Sequence, residues 1–107
     1  MSSAVTVQVT DWDAAMPHAR PIRYAVFVTE QGVPVELEWD EHDAVCDHAV
    51  AFDAGGEAIA TGRLLPDGHI GRMAVLASAR GQGVGSAVLD ALVARAVARG
   101  MTVALLN

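Results

Sequence analysis

The feature that most constrains the fold is a glycine-rich junction between a segment with a strand-like pattern of apolar residues and a segment with a helix-like one. Residues 80–86 read Arg-Gly-Gln-Gly-Val-Gly-Ser. After it, residues 83–99 place apolar side chains at spacings of three and four, which is typical of an amphipathic helix. Before it lies a strand pattern at residues 69–75, and residues 102–106 predict another strand after the helix. A strand, a long helix and a strand predict a right-handed crossover between parallel strands.

Upstream of the junction, the sequence predicts an antiparallel meander. Valines alternate with polar residues at positions 5–9, the pattern of a half-buried strand. Three short apolar segments follow at residues 48–53, 58–65 and 69–75. Their connectors, 54–57 and 66–68, have turn composition, and strands joined by such short loops run antiparallel. The predicted fold class is therefore α/β (α+β), with a mixed, mostly antiparallel sheet and one parallel β-α-β step.

A first helical segment is predicted between the opening strand and the meander. Residues 14–29 have helical composition, and Asp11 or Asp13 precedes them as a cap. Pro17 and Pro21 lie inside the segment, and a proline removes a helix hydrogen bond. We therefore expect a broken helix whose better half starts near Pro21, as a first-turn residue.

The charge balance excludes several function classes. The 107 residues suit one domain, 1–107. Thirteen acids face seven bases, all of them arginine, for a net charge of −6. A net-acidic chain without a basic run is a poor candidate for binding nucleic acid or an anionic membrane. Because neither an apolar run of ~20 residues nor a signal-peptide pattern occurs, we expect a cytoplasmic protein with no membrane partner.

Metal and disulfide chemistry find little support in the sequence. Cys46 is the only cysteine, so no internal disulfide or cysteine-based zinc site is predicted. Metal-ligand residue types do occur together as Asp40, His42, Asp43 and His48. Their spacing matches no standard zinc pattern, so the sequence predicts no metal site.

The glycine-rich junction is the strongest candidate for a ligand site. Glycines let a backbone approach a ligand closely, and the first amides of a helix lack internal partners, so the junction favours phosphate or pyrophosphate. Arg80 adds a charge that suits bidentate pairing with a phosphate. A dinucleotide fingerprint fails because its last glycine is replaced by Ser86 and residues 101–107 contain no acid. A P-loop fails because the chain has no lysine.

What remains, Arg80-x-x-Gly83-x-Gly85, resembles the acyl-CoA pyrophosphate loop of the GNAT (GCN5-related N-acetyltransferase) superfamily. The sequence Val-Phe-Val-Thr-Glu-Gln-Gly-Val-Pro at residues 26–34, followed by Glu-Trp-Asp-Glu-His-Asp at 38–43, is similar to its ElaA-like branch. The resemblance covers roughly residues 5–107. It implies the acyl-CoA N-acyltransferase fold in a bacterial enzyme, with acetyl-CoA as co-substrate and no metal.

The resemblance also assigns the cofactor-binding residues. It implies that backbone groups at the end of the last meander strand meet the pantetheine and the thioester carbonyl, at Met73, Ala74 and Val75. It implies that the junction holds the pyrophosphate through Arg80, Gly81, Gln82, Gly83, Val84, Gly85 and Ser86. The bound amine would then attack the thioester directly, so catalysis is largely positioning and deprotonation of the ammonium.

The general base stays open among Glu30, Asp40, Glu41 and His69. Glu30 resembles the acidic position that closes the first helices near the acceptor groove. His69 begins the strand that leads to the site, and its ordinary pKa of ~6.5 suits proton transfer. Our candidate catalytic residues are therefore Glu30 and His69.

The sequence says less about the part of the site that would bind the amine acceptor. Seven of the thirteen acids lie in residues 30–47, either as a solvated loop or as a rim that attracts cationic amines. We expect a small-molecule or peptide amine as acceptor. GNAT domains continue past the strand at 102–106 with another helix and two strands, one of which often supplies a tyrosine acid. Tyr24 cannot be carried over to that role.

Two consequences follow for the function of the chain. We expect a GNAT domain that lacks the last helix and strands, and an open sheet edge of that kind favours a homodimer. The alternative to an N-acetyltransferase is a non-catalytic acyl-CoA-binding or interaction module with the same fold.

Overall fold

The computed structural model describes residues 5–38 and 41–105 as a mixed sheet with helices on both of its faces. The strands are β1 (Thr6–Thr10), β2 (Asp47–Phe52), β3 (Ala58–Leu64), β4 (His69–Val75) and β5 (Ala104–Leu105). The α-helices are α1 (Trp12–Arg23), α2 (Val35–Glu38) and α3 (Val84–Ala98). A π-helical segment (Tyr24–Glu30) extends α1, and short 3-10 turns cover Glu41–Val45 and Ala77–Ala79.

The sheet confirms the predicted topology. Its strand order is β1-β2-β3-β4-β5, and the first three pairings are antiparallel. The crossover through α3 places β5 parallel to β4, with His69 opposite Ala104 and Ile70 opposite Leu105. The last residue of the predicted final strand, Leu106, lies outside the described residues.

The expected break at the prolines is wrong. Helix α1 runs unbroken through Pro17 and Pro21 and continues directly into the π-helical segment. Its start agrees with the sequence, since Asp11 Oδ1 accepts a hydrogen bond from the Ala14 amide at 3.0 Å. The physical reason is packing, because the face that carries Ala19 and Ile22 is fully buried and burial of that face offsets the missing backbone bonds.

The two long helices cover opposite faces of the sheet. On one face, α3 buries Val84, Val88, Leu92 and Ala96 in the main core. On the other, Ile22 and Val26 pack around Ala74 of β4. Met73 packs against the first cluster and Ala74 belongs to the second, as the alternation of side chains along a strand requires. The end of β4 is therefore held from both sides.

A β-bulge interrupts β4 just before its carboxyl end. Thr61 pairs with Ala74 and Arg63 with Gly71, so Arg72 and Met73 together oppose the single residue Gly62. Arg72 has φ +50°, a left-handed conformation that is uncommon for a side chain other than glycine. Bulges bend a strand and redirect the residues that follow, and here those residues are Met73, Ala74 and Val75.

No helix among the described residues is both long enough and apolar enough to cross a membrane.

Candidate active site

The glycine junction forms an anion-binding backbone at the start of α3. Gly81 and Gly83 both have φ +79°, a conformation that other residues adopt at a steric cost. Gly83 caps the helix, and the amide of Ala87 makes the bond to its carbonyl. The amides of the first helical turn, residues 84–86, therefore have no partner within the helix. The first turn contains no acid, so the positive end of the helix dipole is uncompensated by its own side chains.

A cavity of about 550 Å³ opens beside this junction. It brings together residues from the π-helical segment, from β4 after the bulge and from the junction: Val26, Glu30, Gln31, Met73, Ala74, Val75 and Arg80. Five of the residues singled out in the sequence thus lie around one space. Because this space adjoins the carboxyl end of a strand that has a parallel neighbour, it matches the usual place of ligands in open α/β sheets.

Arg80 is engaged by the protein itself. Its Nε donates to the Val75 carbonyl at 3.0 Å, Nη1 donates to Glu30 Oε2 at 3.0 Å, and Nη2 donates to Glu30 Oε1 at 2.5 Å. Both side chains stay partly exposed, at 46% for Arg80 and 38% for Glu30. The hydrogen bonds from Arg80, aided by its charge, lower the pKa of Glu30, and the same pair raises the pKa of Arg80. Glu30 is therefore ionised at neutral pH and is a weak proton acceptor.

The structure does not bring His69 or Glu41, two of the other base candidates, to the cavity. His69 is the first residue of β4, and its Nδ1 lies 2.9 Å from Asp67 Oδ1. The strand's rise of ~3.3 Å per residue puts His69 on the order of 15–20 Å from Val75. Glu41 starts a 3-10 turn and does not line the cavity. Asp40 lies outside the described residues.

Part of the acidic segment is buried, contrary to both readings of it as a loop or a rim. Glu38 is 0% exposed and Asp43 is 3% exposed. Arg23 donates from Nε to Glu38 Oε1 at 2.5 Å and from Nη1 to Asp43 Oδ1 at 2.9 Å. Arg63 of β3 donates to the same Asp43 oxygen at 3.0 Å. This buried ion network anchors the segment to the sheet, so these two acids do not face an acceptor.

His48 of β2 lies next to the buried ion network and contacts Asp43. Its Nε2 lies 2.8 Å from the Asp43 carbonyl, and its ring packs against Trp12 at 4.7 Å. Burial lowers its pKa from 6.5, so the ring stays neutral at neutral pH. Among the described residues, no group of three or more histidines, cysteines and acids is arranged to hold a metal.

A sequence signal for the buried ion network did exist. The acidic segment lies between Arg23 and Arg63, with no base between them. Both arginines stand in otherwise apolar patterns, one on the buried face of α1 and one on β3. Arginines in such positions need buried acids as partners, and this segment holds seven of the thirteen acids of the chain.

The comparisons with known proteins agree with this geometry. The sequence model of the Acetyltransferase (GNAT) family matches residues 10–107. The chain belongs to this family. It is 40% identical over 77 residues to a Bacillus subtilis (strain 168) protein named as an acetyltransferase, a match that covers 66% of this chain and 52% of that protein. The chain thus spans about half the length of this curated relative.

Solved structures of the family have the same fold. A Lactobacillus plantarum crystal structure described as an N-acetyltransferase is 31% identical with a TM-score of 0.81, covering 92% of this chain and 71% of that one. Escherichia coli ElaA is 23% identical with a TM-score of 0.75, covering 86% and 69%. The GNAT family membership and fold class expected from the sequence are therefore confirmed.

Proposed function

We propose that this protein is an N-acetyltransferase that moves an acetyl group from acetyl-CoA to a primary amine. The observation that carries the proposal is the juxtaposition of two features: the unpartnered amides of residues 84–86 behind two left-handed glycines, and the bulged end of β4 beside a cavity. Two structures with this fold support the cofactor. An aminoglycoside N-acetyltransferase, 16% identical, is in complex with CoA, and a Clostridium acetobutylicum acetyltransferase, 20% identical, is with acetyl-CoA.

The residues fit the two ends of such a co-substrate. The junction 81–86 suits a diphosphate, since the amides of residues 84–86 have no partner within α3 and lie at the positive end of a helix of fifteen residues. Met73, Ala74 and Val75 line the adjacent cavity, and in this proposal their backbone groups bind the pantetheine arm and the thioester. A preorganised amide at this position stabilises the oxyanion as the tetrahedral intermediate forms.

Acetyl transfer then balances without a covalent enzyme intermediate. The neutral amine nitrogen forms a bond to the thioester carbon, and the carbon–sulfur bond breaks with its electron pair going to sulfur. The CoA thiolate takes up the proton that the attacking nitrogen loses and leaves as the thiol. The amine must arrive neutral, so its proton is lost before attack. Glu30, the one carboxylate among the described residues that line the cavity, is held ionised by Arg80 and accepts a proton poorly. We therefore propose that the proton passes to solvent at the partly exposed mouth of the cavity.

The acceptor in this proposal is a small-molecule or peptide amine, and the setting is the cytoplasm. The weak basicity of Glu30 also favours a second candidate, a module that binds acyl-CoA without catalysing transfer. The homodimer through an open sheet edge stays a prediction from the sequence.

The test combines calorimetric titration of acetyl-CoA with release of free thiol across a panel of amines, including a polyamine and a lysine-containing peptide. Binding with amine-dependent thiol release supports the N-acetyltransferase. Binding without release from any amine favours the non-catalytic module. No binding of acetyl-CoA contradicts both.

A further inference from the structure

We propose that Glu30 and Arg80 form a strap that sets the width of the cavity, so that Arg80 serves acetyl transfer by positioning rather than by binding phosphate. The inference deepens the proposed function and rests on it. It departs from the sequence-based expectations that Arg80 pairs with the pyrophosphate and that Glu30 is a candidate for the base.

The strap joins the two walls of the cavity. Glu30 is the last residue of the π-helical segment, which also supplies Val26 to the cavity. Val75 is the last residue of β4, the opposite wall. Arg80 reaches both, with Nε on the Val75 carbonyl and both Nη atoms on the Glu30 carboxylate. Because a guanidinium is planar and rigid, these three bonds hold Glu30 at a set distance from Val75, in addition to the packing of Val26 against Ala74.

The same contacts argue against Arg80 as a phosphate ligand. Three of its five N–H groups are already used. Its charge is neutralised by a carboxylate that would repel an incoming diphosphate. The amides of residues 84–86, which have no partner within α3, can donate to a phosphate without first breaking an ion pair.

The strap contributes little to overall stability. Both partners are partly exposed, and ion pairs in water are weak because solvent screens them and side-chain entropy opposes them. Its effect is therefore expected in the geometry of the bound thioester and amine. Small displacements of reacting groups reduce turnover strongly, by up to ~100-fold for about 1 Å.

Arg80→Lys separates the two roles of the arginine. Lysine keeps the positive charge for a phosphate but cannot make the bidentate pair together with the Val75 bond. Glu30→Gln is the partner variant, since it removes the carboxylate and leaves Arg80 free for phosphate. The matched control is Arg99→Lys, which alters an exposed pair with Asp47 (Nε to Oδ2, 3.2 Å) at the far end of α3.

The experiment measures acetyl-CoA affinity, kcat, and hydrogen exchange of residues 24–30. The strap predicts that Arg80→Lys and Glu30→Gln each lower kcat by about tenfold or more. Acetyl-CoA affinity should stay within about threefold, and the double variant should be no worse than either single one, because the two residues act as a unit. Both single variants should speed hydrogen exchange of residues 24–30, and Arg99→Lys should change none of these quantities.

The opposite pattern overturns the strap. If Arg80→Lys keeps kcat and Glu30→Gln tightens acetyl-CoA binding, Arg80 is a phosphate ligand that Glu30 masks. Unchanged hydrogen exchange in both variants also overturns it, whether or not transfer is detected. Faster exchange in a protein that neither binds acetyl-CoA nor transfers acetyl contradicts the proposed function while supporting the tie between the walls.

Discussion

Two neighbouring glycines of the junction should respond oppositely to the same substitution. Gly83 has φ +79° as the cap of α3, and a Cβ added there would meet no atom within 4 Å. Gly85 lies inside α3, and its added Cβ would lie 3.5 Å from Val75 Cγ2, an ordinary contact. Gly83→Ala therefore tests backbone conformation alone, and Gly85→Ala is its matched control.

The magnitudes follow from the backbone. A left-handed conformation costs an alanine roughly 1–2 kcal/mol, partly offset because alanine also restricts the unfolded chain. We expect Gly83→Ala to lower the free energy of unfolding by about 1 kcal/mol. In the helix, alanine is better than glycine by about 0.5–1 kcal/mol, so Gly85→Ala should raise the free energy of unfolding. The two variants should differ by about 2 kcal/mol, or roughly 30-fold in the ratio of folded to unfolded protein.

Urea unfolding followed by tryptophan fluorescence measures this difference without any ligand. The expected order of stability is Gly85→Ala above wild type and wild type above Gly83→Ala. Equal stabilities for the two variants, or a stabilising Gly83→Ala, would refute the left-handed cap, and with it the orientation of the free amides that follow it.

Three further predictions concern the bulge and the buried ion network. Gly62→Ala should destabilise the protein by about 1–3 kcal/mol in urea unfolding, because its Cβ would lie 2.5 Å from Met73 Sδ and 3.0 Å from both Leu92 Cδ1 and Val88 Cγ1 of the packed core. Arg23→Met should lower the free energy of unfolding by about 3–5 kcal/mol, because it leaves Glu38 buried without its ion-pair partner. Burial lowers the pKa of His48 from 6.5 in the folded protein. Below about pH 6.5 the unfolded chain therefore binds a proton at this residue more readily than the folded chain does. The free energy of unfolding should therefore fall as pH drops below about 6.5, and His48→Gln should flatten this dependence in urea midpoints compared across that range.

Each of these predictions has a control and a contradicting outcome. The double variant Gly62→Ala/Met73→Ala should lose less free energy of unfolding than the sum of the two single variants. Purely additive losses would contradict the steric overlap between the Cβ at position 62 and Met73. Arg99→Met, at an exposed pair, should cost little, so an equal loss there would contradict the special cost of burial at Arg23. For the pH effect the control is His69→Gln at a partly exposed site, and an unchanged slope in His48→Gln would contradict the assignment.

The parts of the fold that depend on local chain geometry could be predicted. The short loops 54–57 and 66–68 forced antiparallel pairing, and the helix after the junction forced a parallel return. The break at Pro17 and Pro21 was wrong because it weighed only local hydrogen bonds. What kept α1 whole is the burial of its inner face against the sheet, which local sequence does not show.

The candidate site also has one part that the local sequence predicts and one part that it does not. The glycine junction is contiguous in the chain, so its conformation follows from the residues themselves, as the φ values of Gly81 and Gly83 show. The Glu30–Arg80 strap joins residues fifty positions apart, and a charge pattern does not say which partner each side chain will find. Because ion pairs form wherever the packed backbone brings charges together, their partners become visible only with the tertiary structure.

Diphosphate binding by the glycine junction is tested by calorimetric titration with acetyl-CoA and with an acetyl thioester that lacks the diphosphate, on the wild type and on Gly83→Ala. We expect the wild type to bind acetyl-CoA and Gly83→Ala to weaken this binding by about tenfold or more, since it misaligns the charge-assisted amide bonds to the diphosphate. Binding of the short thioester should be the same in both proteins. Wild-type protein that does not bind acetyl-CoA, or equal acetyl-CoA affinity in the two proteins, would contradict diphosphate binding by the amides that follow Gly83.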